Sequence, residues 1–461
     1  MMQSFDLIVL GGGPGGYAAA IRAARRGSRV ALIEQDKVGG VCLNRGCIPT
    51  KALLHASALY QHAKNGAETG VLCDNLRFDY QKAAARKDKI VDRLRGGVAA
   101  LLKGAGVTVI PARGELVSPH EVRAQGEVYT APSIILATGS RPAALPLPGA
   151  DLPGILNSDG LLSLTAAPAS VTIVGAGVIG MEFATLFSQL DIPVTVLEAL
   201  PQALAGFDPD TVAAVTRSMQ RQNAKIITGA RVQGFERKDQ AVSTAYLVNG
   251  QEKTVLSELV LIATGRKPNT RDIGLETAGV RVDAAGYIPT DEQMRTNVKG
   301  IYAIGDITGK QQLAHVATAQ GLTAADALAG KPAAMRYDAV PVCVYTSPEI
   351  AAIGLTEEQA RGRGMKARTG VFPVSANGRS MIHGQSLGTA KILSETATGE
   401  LLGAHLAGPG VTELIAGISL AMRAEATDEE LASAIFPHPS VSEIILEAAH
   451  DLEGLSVHKL Y

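Results

Sequence analysis

Short, mainly hydrophobic runs that end in glycine recur along this chain. Residues Phe5–Leu10 form the first, and Gly11-Gly12-Gly13-Pro14-Gly15-Gly16 follows directly. A run of this length, rich in β-formers and closed by glycines, reads as a strand. The alanine-rich stretch from Tyr17 reads as a helix stopped by Gly27, and a second strand, Arg29–Ile33, ends at Glu34. Strand, G-x-G-x-x-G (Gly11, Gly13, Gly16), helix, strand and acid in that order make the βαβ unit that holds a dinucleotide. Backbone N–H groups at the helix N-terminus hold the pyrophosphate, and the acid takes the ribose hydroxyls.

The same pattern returns further on. Val171–Val174 leads into Gly175, Gly177 and Gly180, a helix over Met181–Leu190, and a strand Val194–Leu197 ending at Glu198. Gly11 to Glu34 spans 23 positions, and Gly175 to Glu198 again spans 23. Two further apolar runs end alike in Ala-Thr-Gly. The first carries Thr138 and Gly139, the second Gly265. Glycine there lets the chain pass a ligand closely. Two dinucleotides are therefore expected.

Outside these units the pattern is weaker. Tyr60 to Gly104 reads as one helical stretch with a solvated charged face, and Arg141–Gly149 as a linker between domains. Gly300–Asp306 reads as a short strand delivering Asp306 past a glycine, where a carboxylate suits a polyol hydroxyl. Beyond about residue 340, strands and amphipathic helices alternate without glycine fingerprints, as in a separate α+β domain.

Length and charge narrow the class. The 461 residues suit about three domains. Lys and Arg number 43 against 44 Asp and Glu, so the totals show no basic field for nucleic acid. No apolar run approaches the roughly 20 residues of a membrane span, and the start lacks the features of a signal peptide. Four cysteines suit a reducing, cytoplasmic setting in which a disulfide is usually catalytic. The nine histidines form no H-E-x-x-H, so no metal is expected, and Cys73 and Cys343, without nearby ligand partners, are taken as structural.

Cys42 and Cys47 lie five positions apart in the segment Gly39–Lys51. On an ideal helix their Cα atoms would stand roughly 8–9 Å apart, beyond the about 4.4–6.8 Å of a disulfide. They can pair only if the backbone breaks between them, which Gly46 permits. Pro49 suits the first turn of a helix starting near Cys47, where the dipole stabilises a thiolate. Spacing alone leaves two buried structural thiols equally open.

Two dinucleotide units with a C-x-x-x-x-C after the first resemble the FAD-dependent pyridine nucleotide–disulfide oxidoreductases. The likeness spans essentially the whole chain, including Gly305-Asp306 and His438-Pro439-Ser440-Val441-Ser442-Glu443. Within that family, the segment Gly39–Lys51 and Ala376-Asn377-Gly378-Arg379 look most like the dihydrolipoamide dehydrogenase branch. Relatives that reduce mercuric ion usually end in a second cysteine pair, which is absent here.

The resemblance implies an α/β fold with two Rossmann-like dinucleotide-binding domains plus a C-terminal α+β dimerisation domain. The expected division is 1–149 for FAD, 150–270 for NAD, 271–340 completing the FAD domain and 341–461 for the dimer interface. It also implies Glu34 on the FAD adenosine ribose, Asp306 on its ribityl or diphosphate region, and the Ala314 helix N-terminus at the flavin pyrimidine. Cys47 would lie against the flavin and Cys42 would face substrate, with Lys51 near flavin N5 paired to Glu182. His438, oriented by Glu443, would be the base for the other subunit of a homodimer. The partners implied are lipoyl domains of a 2-oxoacid dehydrogenase complex or the glycine-cleavage protein. Other readings are a glutathione reductase-like enzyme, a soluble transhydrogenase, or a non-catalytic redox sensor. The bland reading of Ser440–Glu443 is a capping box opening a helix Val441–Ala449.

Glu198 repels a 2′-phosphate, and no Lys or Arg lies between Ala199 and Thr216 to receive one. Strong preference for NAD(H) is expected, and comparable kcat/KM values for NADH and NADPH would overturn it.

Overall fold

A computed structural model of the protein describes residues 3–222 and 224–460. Two parallel sheets and one antiparallel sheet, each of five strands, carry the elements that matter for function. The first parallel sheet runs Ile301–Ala303, Ser133–Leu136, Leu7–Leu10, Val30–Glu34 and Thr108–Pro111. Leu7 to Leu10 are all buried because both sheet faces are covered, which is why this run does not alternate with polar residues. Leu7 and Val9 pack with Ala19 and Ala20 on one side, while Ile8 and Leu10 pack with Ile110 and Leu116 on the other.

The second parallel sheet repeats the plan as Ile155–Leu156, Leu259–Ile262, Val171–Val174, Val194–Leu197 and Lys225–Ile227. The repeat extends to single atoms. A Cβ on Gly16 would stand 1.9 Å from the Gly11 carbonyl oxygen, and one on Gly180 would stand 2.0 Å from that of Gly175. Only glycine lets each helix come this close to the turn beneath it. In both sheets the strand order reverses at the central strand, and a crevice opens beyond the carboxyl ends there.

The third sheet is antiparallel: Val342–Val344, Glu349–Gly354, Leu401–Gly408, Thr389–Glu395, Ala367–Pro373. Helices Val411–Arg423 and Glu443–Asp451 bury Ile415, Ile418, Ile444 and Ala448 against it. An ion cluster with Lys391 and Asp208 buried at its centre joins it to the second unit. The Lys391 ammonium donates to Asp208 at 2.8 Å and reaches Asp210 at 2.7 Å. Burial works against that charge, yet the two carboxylates outweigh it and hold Lys391 above its ordinary pKa.

Three expectations change. The helical stretch is two helices, Cys47–Lys64 and Tyr80–Gly104, parted at Gly66 and Gly70, with Asp79 capping the second by accepting from the Lys82 N–H at 3.0 Å. The 141–149 segment begins as a strand, Ser140–Pro142, paired antiparallel with Arg266–Pro268. The last helix starts at Glu443 rather than Val441, because Ser440 Oγ bonds Ser442 Oγ and only the carboxylate half of the capping box forms. Among the described residues no helix is long and apolar enough to cross a membrane.

Gly180→Ala should lower unfolding stability by about 1–3 kcal/mol through overpacking against the Gly175 carbonyl. Gly177→Ala, whose Cβ would meet nothing within 4 Å, should cost less than about 1 kcal/mol. Denaturant titration of the two variants reads the difference, and equal costs would refute the packing argument.

Candidate active site

The cysteine pair is built by one break in the backbone. Helix Gly40–Arg45 stops at Gly46, whose φ of −144° and ψ of −108° turn the chain before helix Cys47–Lys64 begins. The turn brings the Cys42 and Cys47 Cα atoms to 4.7 Å, and the two sulfurs form a disulfide. The Thr50 N–H and hydroxyl both donate to the Gly46 carbonyl, at 3.1 and 2.7 Å, and the Asn44 amide donates to Gly40 O at 2.9 Å. These bonds pin the break from both sides.

The disulfide opens on a cavity of about 1490 Å³ that reaches both glycine fingerprints. At one end the Glu34 carboxylate accepts from the Gly12 N–H at 2.6 Å and the Asp36 N–H at 2.8 Å. At the other, Glu198 accepts from the Ala176 N–H at 2.6 Å and the Leu200 N–H at 2.9 Å. Helices Pro14–Arg25 and Val178–Gln189 start at Gly13 and Gly177 with no side-chain cap, so their first N–H groups remain for an anion. Asp306 sits in the Gly305–Thr308 turn and accepts from the Ser140 hydroxyl. Ser140 in turn accepts from Arg266 at 2.6 Å through Oγ and 2.9 Å through its carbonyl. Thr138 and Gly139 face the second unit's loop: Thr138 Oγ1 donates to Asn269 O at 2.8 Å, and the Asn269 N–H donates to Gly139 O at 2.9 Å. Gly265 accepts from the Ala143 N–H at 2.9 Å. Ala314 opens an uncapped helix at the cavity wall. Beside it His315 bonds Pro341 O at 2.9 Å, and burial holds that histidine below its ordinary pKa. A carboxylate at each strand end, open N–H groups at each helix start and glycine floors that a Cβ would fill suit two dinucleotides.

Lys51, one turn past Cys47, reaches Glu182 on the second unit, with Nζ 2.8 and 2.7 Å from the two carboxylate oxygens. The Glu182 side chain is 4% exposed. Tyr345 completes the group: its N–H donates to Glu182 Oε1 at 3.1 Å, and its ring lies 4.6 Å from the Lys51 ammonium.

His438 and Glu443 pair, Nδ1 to Oε1 at 2.8 Å, and the Ser440 N–H donates to Glu443 Oε2 at 2.8 Å. Burial pushes Glu443 up, but those two partners outweigh it and leave its pKa lowered. Neither residue lines the cavity, and His438 is 80% exposed. One chain alone does not bring the pair to the disulfide. The remaining cysteines stand in different surroundings. Cys73 is exposed, while Cys343 lines the cavity and burial, with Glu349 and Glu413 nearby, pushes its thiol up to about 11. Among the described residues no group of His, Cys, Asp and Glu could hold a metal.

Comparison with known proteins agrees with this geometry. Residues 5–321 match the family model described as pyridine nucleotide-disulphide oxidoreductase, and residues 340–449 match that family's dimerisation domain. The chain belongs to the pyridine nucleotide-disulphide oxidoreductases. It is an oxidoreductase acting on sulfur and uses FAD and NAD(H). The dimerisation-domain match supports a homodimer. Among its relatives, dihydrolipoyl dehydrogenase of Geobacillus stearothermophilus is 38% identical, over 98% of this chain and 97% of the relative. That of Thermus scotoductus is 40% identical over 100% of both. Solved structures of similar shape include LpdA from Mycobacterium tuberculosis, with a TM-score of 0.91 and 30% identity over 98% of this chain and 100% of the other. Another is the HOCl-induced flavoprotein disulfide reductase RclA from Escherichia coli, with a TM-score of 0.87 and 30% identity over 98% and 100%.

Ser140, Arg266, Asn269 and Tyr345 have no motif of their own in this oxidoreductase's sequence, since each acts on a partner far along the chain. Arg231 also lines the cavity, next to Ala230, whose N–H donates to Glu198 O at 2.8 Å. It lies beyond the 199–216 segment, which carries no Lys or Arg.

Removing Lys51 alone strands a buried carboxylate. Lys51→Met should cost about 3 kcal/mol, while Lys51→Met with Glu182→Leu should recover most of it. Denaturant unfolding measures both, and a double variant no better than the single would overturn the account.

Proposed function

We propose that this chain is a dihydrolipoyl dehydrogenase, oxidising protein-bound dihydrolipoamide to lipoamide and passing the electrons to NAD+. It would serve as the flavoprotein of a 2-oxoacid dehydrogenase complex or glycine-cleavage system in the cytoplasm. The observation that carries the reading is the Cys42–Cys47 disulfide opening on a cavity that both nucleotide fingerprints share. Full-length relatives bearing that name support it. We assign residues 1–149 and 271–340 to the FAD unit, 150–270 to the NAD unit and 341–461 to the dimer interface.

In this reading His438 of a second copy, held by Glu443 in one tautomer, takes the proton from one substrate thiol. The thiolate attacks Cys42 Sγ, the Cys42–Cys47 bond breaks, and Cys47 leaves as a thiolate at its helix N-terminus. The second substrate thiol releases its proton to solvent and attacks the mixed disulfide. Substrate departs as its cyclic disulfide, Cys42 takes a proton from the histidine, and the chain retains the two electrons as a reduced dithiol pair, a thiol at Cys42 and a thiolate at Cys47. FAD, when bound, supplies the two-electron relay between that dithiol and NAD+. Glu34 and the N–H groups after Gly11 and Gly13 would hold its adenosine ribose and diphosphate, with Asp306 on the polyol. Glu198 and the Gly175–Gly180 turn would hold NAD. Lys51, tied to Glu182, would place a cation beside the flavin, and the uncapped Ala314 helix start would present its dipole to it.

Cys47→Ser should abolish dihydrolipoamide turnover while FAD stays bound, and an unchanged rate would sink the mechanism. Refolding Cys47→Ser together with His438→Ala should restore roughly a quarter of wild-type activity, because random pairing leaves one intact shared site in each hybrid dimer. A mixture that stays inactive after confirmed exchange would rule out a histidine acting across the interface. Faster turnover of glutathione disulfide with NADPH than of dihydrolipoamide with NAD+ would favour the glutathione reductase-like alternative.

A further inference from the structure

Lys51 is held on more than one side. Glu182 takes two of its N–H directions, and that carboxylate is itself fixed by the Tyr345 N–H at 3.1 Å. The aromatic face of the same tyrosine stands 4.6 Å from Nζ. Tyr345 therefore grips the pair twice, once through its backbone and once through its ring. An ammonium is attracted to the negative face of an aromatic ring, more strongly where water is scarce. Lys51 is 31% exposed and its carboxylate partner 4%, so the contact is partly shielded. Burial, with Cys343, Glu349, Glu413 and Glu182 adding to it, pushes the Tyr345 hydroxyl up to about 12. The ring thus stays neutral at working pH.

Without the ring, Lys51 keeps its ion pair but loses the surface that fixes its third direction. A four-carbon stem has several staggered rotamers that satisfy one carboxylate. Lys51, Glu182 and Tyr345 all line the cavity, and Lys51 lies four residues beyond Cys47 on the same helix. The direction of the ammonium therefore sets the electrostatic field met by a ring system lying against Cys47.

We propose that Tyr345 is a positioning residue, whose aromatic face fixes the Lys51 ammonium toward the flavin and so tunes electron transfer between the Cys42–Cys47 pair and FAD. The proposal rests on the reading that FAD lies between Lys51 and Cys47. The ring acts through its quadrupole, not through its hydroxyl.

The test uses the purified flavin-loaded dimer carrying phenylalanine, pentafluorophenylalanine or leucine at position 345. Pentafluorophenylalanine keeps the shape of the ring and reverses its quadrupole, so packing is preserved while the attraction is removed. The readouts are flavin content, long-wavelength charge-transfer absorbance after two-electron reduction, and the flavin reduction potential. Tyr345→Phe should stay within twofold of wild type in absorbance and kcat. The pentafluoro and leucine variants should lose at least half of the absorbance, shift the potential downward and lower kcat about tenfold, with the KM for NAD+ unchanged. In a Lys51→Met background the same ring changes should have no further effect on absorbance or potential. A pentafluoro variant that matches phenylalanine would overturn the proposal, as would additive losses in the Lys51→Met background. A phenylalanine variant as impaired as leucine would move the role to the hydroxyl and also overturn it. Failure of the wild-type protein to show a charge-transfer band on reduction would instead refute the placement of FAD against Cys47.

Discussion

A carboxylate taken out of water must be met by donors, and Glu182 is the place where that requirement shapes the molecule. Its two oxygens accept from Lys51 of the first unit and from the backbone of Tyr345 in the third, while its own helix belongs to the second. Three sheet units are thereby joined at one buried point. A charge so poorly solvated tolerates little displacement, because losing either donor exposes a penalty of several kcal/mol. The cavity keeps its shape because its wall is anchored where movement is costly.

Around that point the two nucleotide units are copies in the physical sense. Each sheet ends in a carboxylate that accepts from the N–H after its first fingerprint glycine, both at 2.6 Å. Each helix rests on a glycine too close to a carbonyl for any other residue. The copies are tied by a short ribbon, Ser140–Pro142 against Arg266–Pro268, that follows the two Ala-Thr-Gly runs. One recognition device was thus used twice, and the difference between the sites lies in what surrounds it.

The sequence was informative where function fixes both residue type and spacing. The fingerprints, the 23-residue interval and the two Ala-Thr-Gly runs sit in parallel sheets because buried strands read as unbroken apolar runs. The Cys42–Cys47 pairing was legible as a condition, that the backbone break at Gly46, and the structure meets it at 4.7 Å. Contacts between remote segments left no periodic trace. Lys391 with Asp208, or Tyr345 with Glu182, joins positions more than a hundred residues apart. The helix break near Gly66 was hidden by good helix formers on both sides. The start of the last helix was misplaced because a capping-box pattern does not say which hydroxyl will prefer another serine. Cys73 and Cys343 look alike in the sequence, and only folding separates an exposed thiol from one in the cavity wall.

The disulfide adjoins a cavity reaching both nucleotide fingerprints, yet it is covalently part of the chain. Two sulfurs that open and close can keep an electron pair after the molecule that delivered it has diffused away. The donor and the final acceptor therefore never have to be present together. A substrate that visits briefly can deposit an electron pair and leave, and a nicotinamide arriving later can collect it. The disulfide can thus act as a temporary store of two electrons, so its pace can follow two supplies that fluctuate independently.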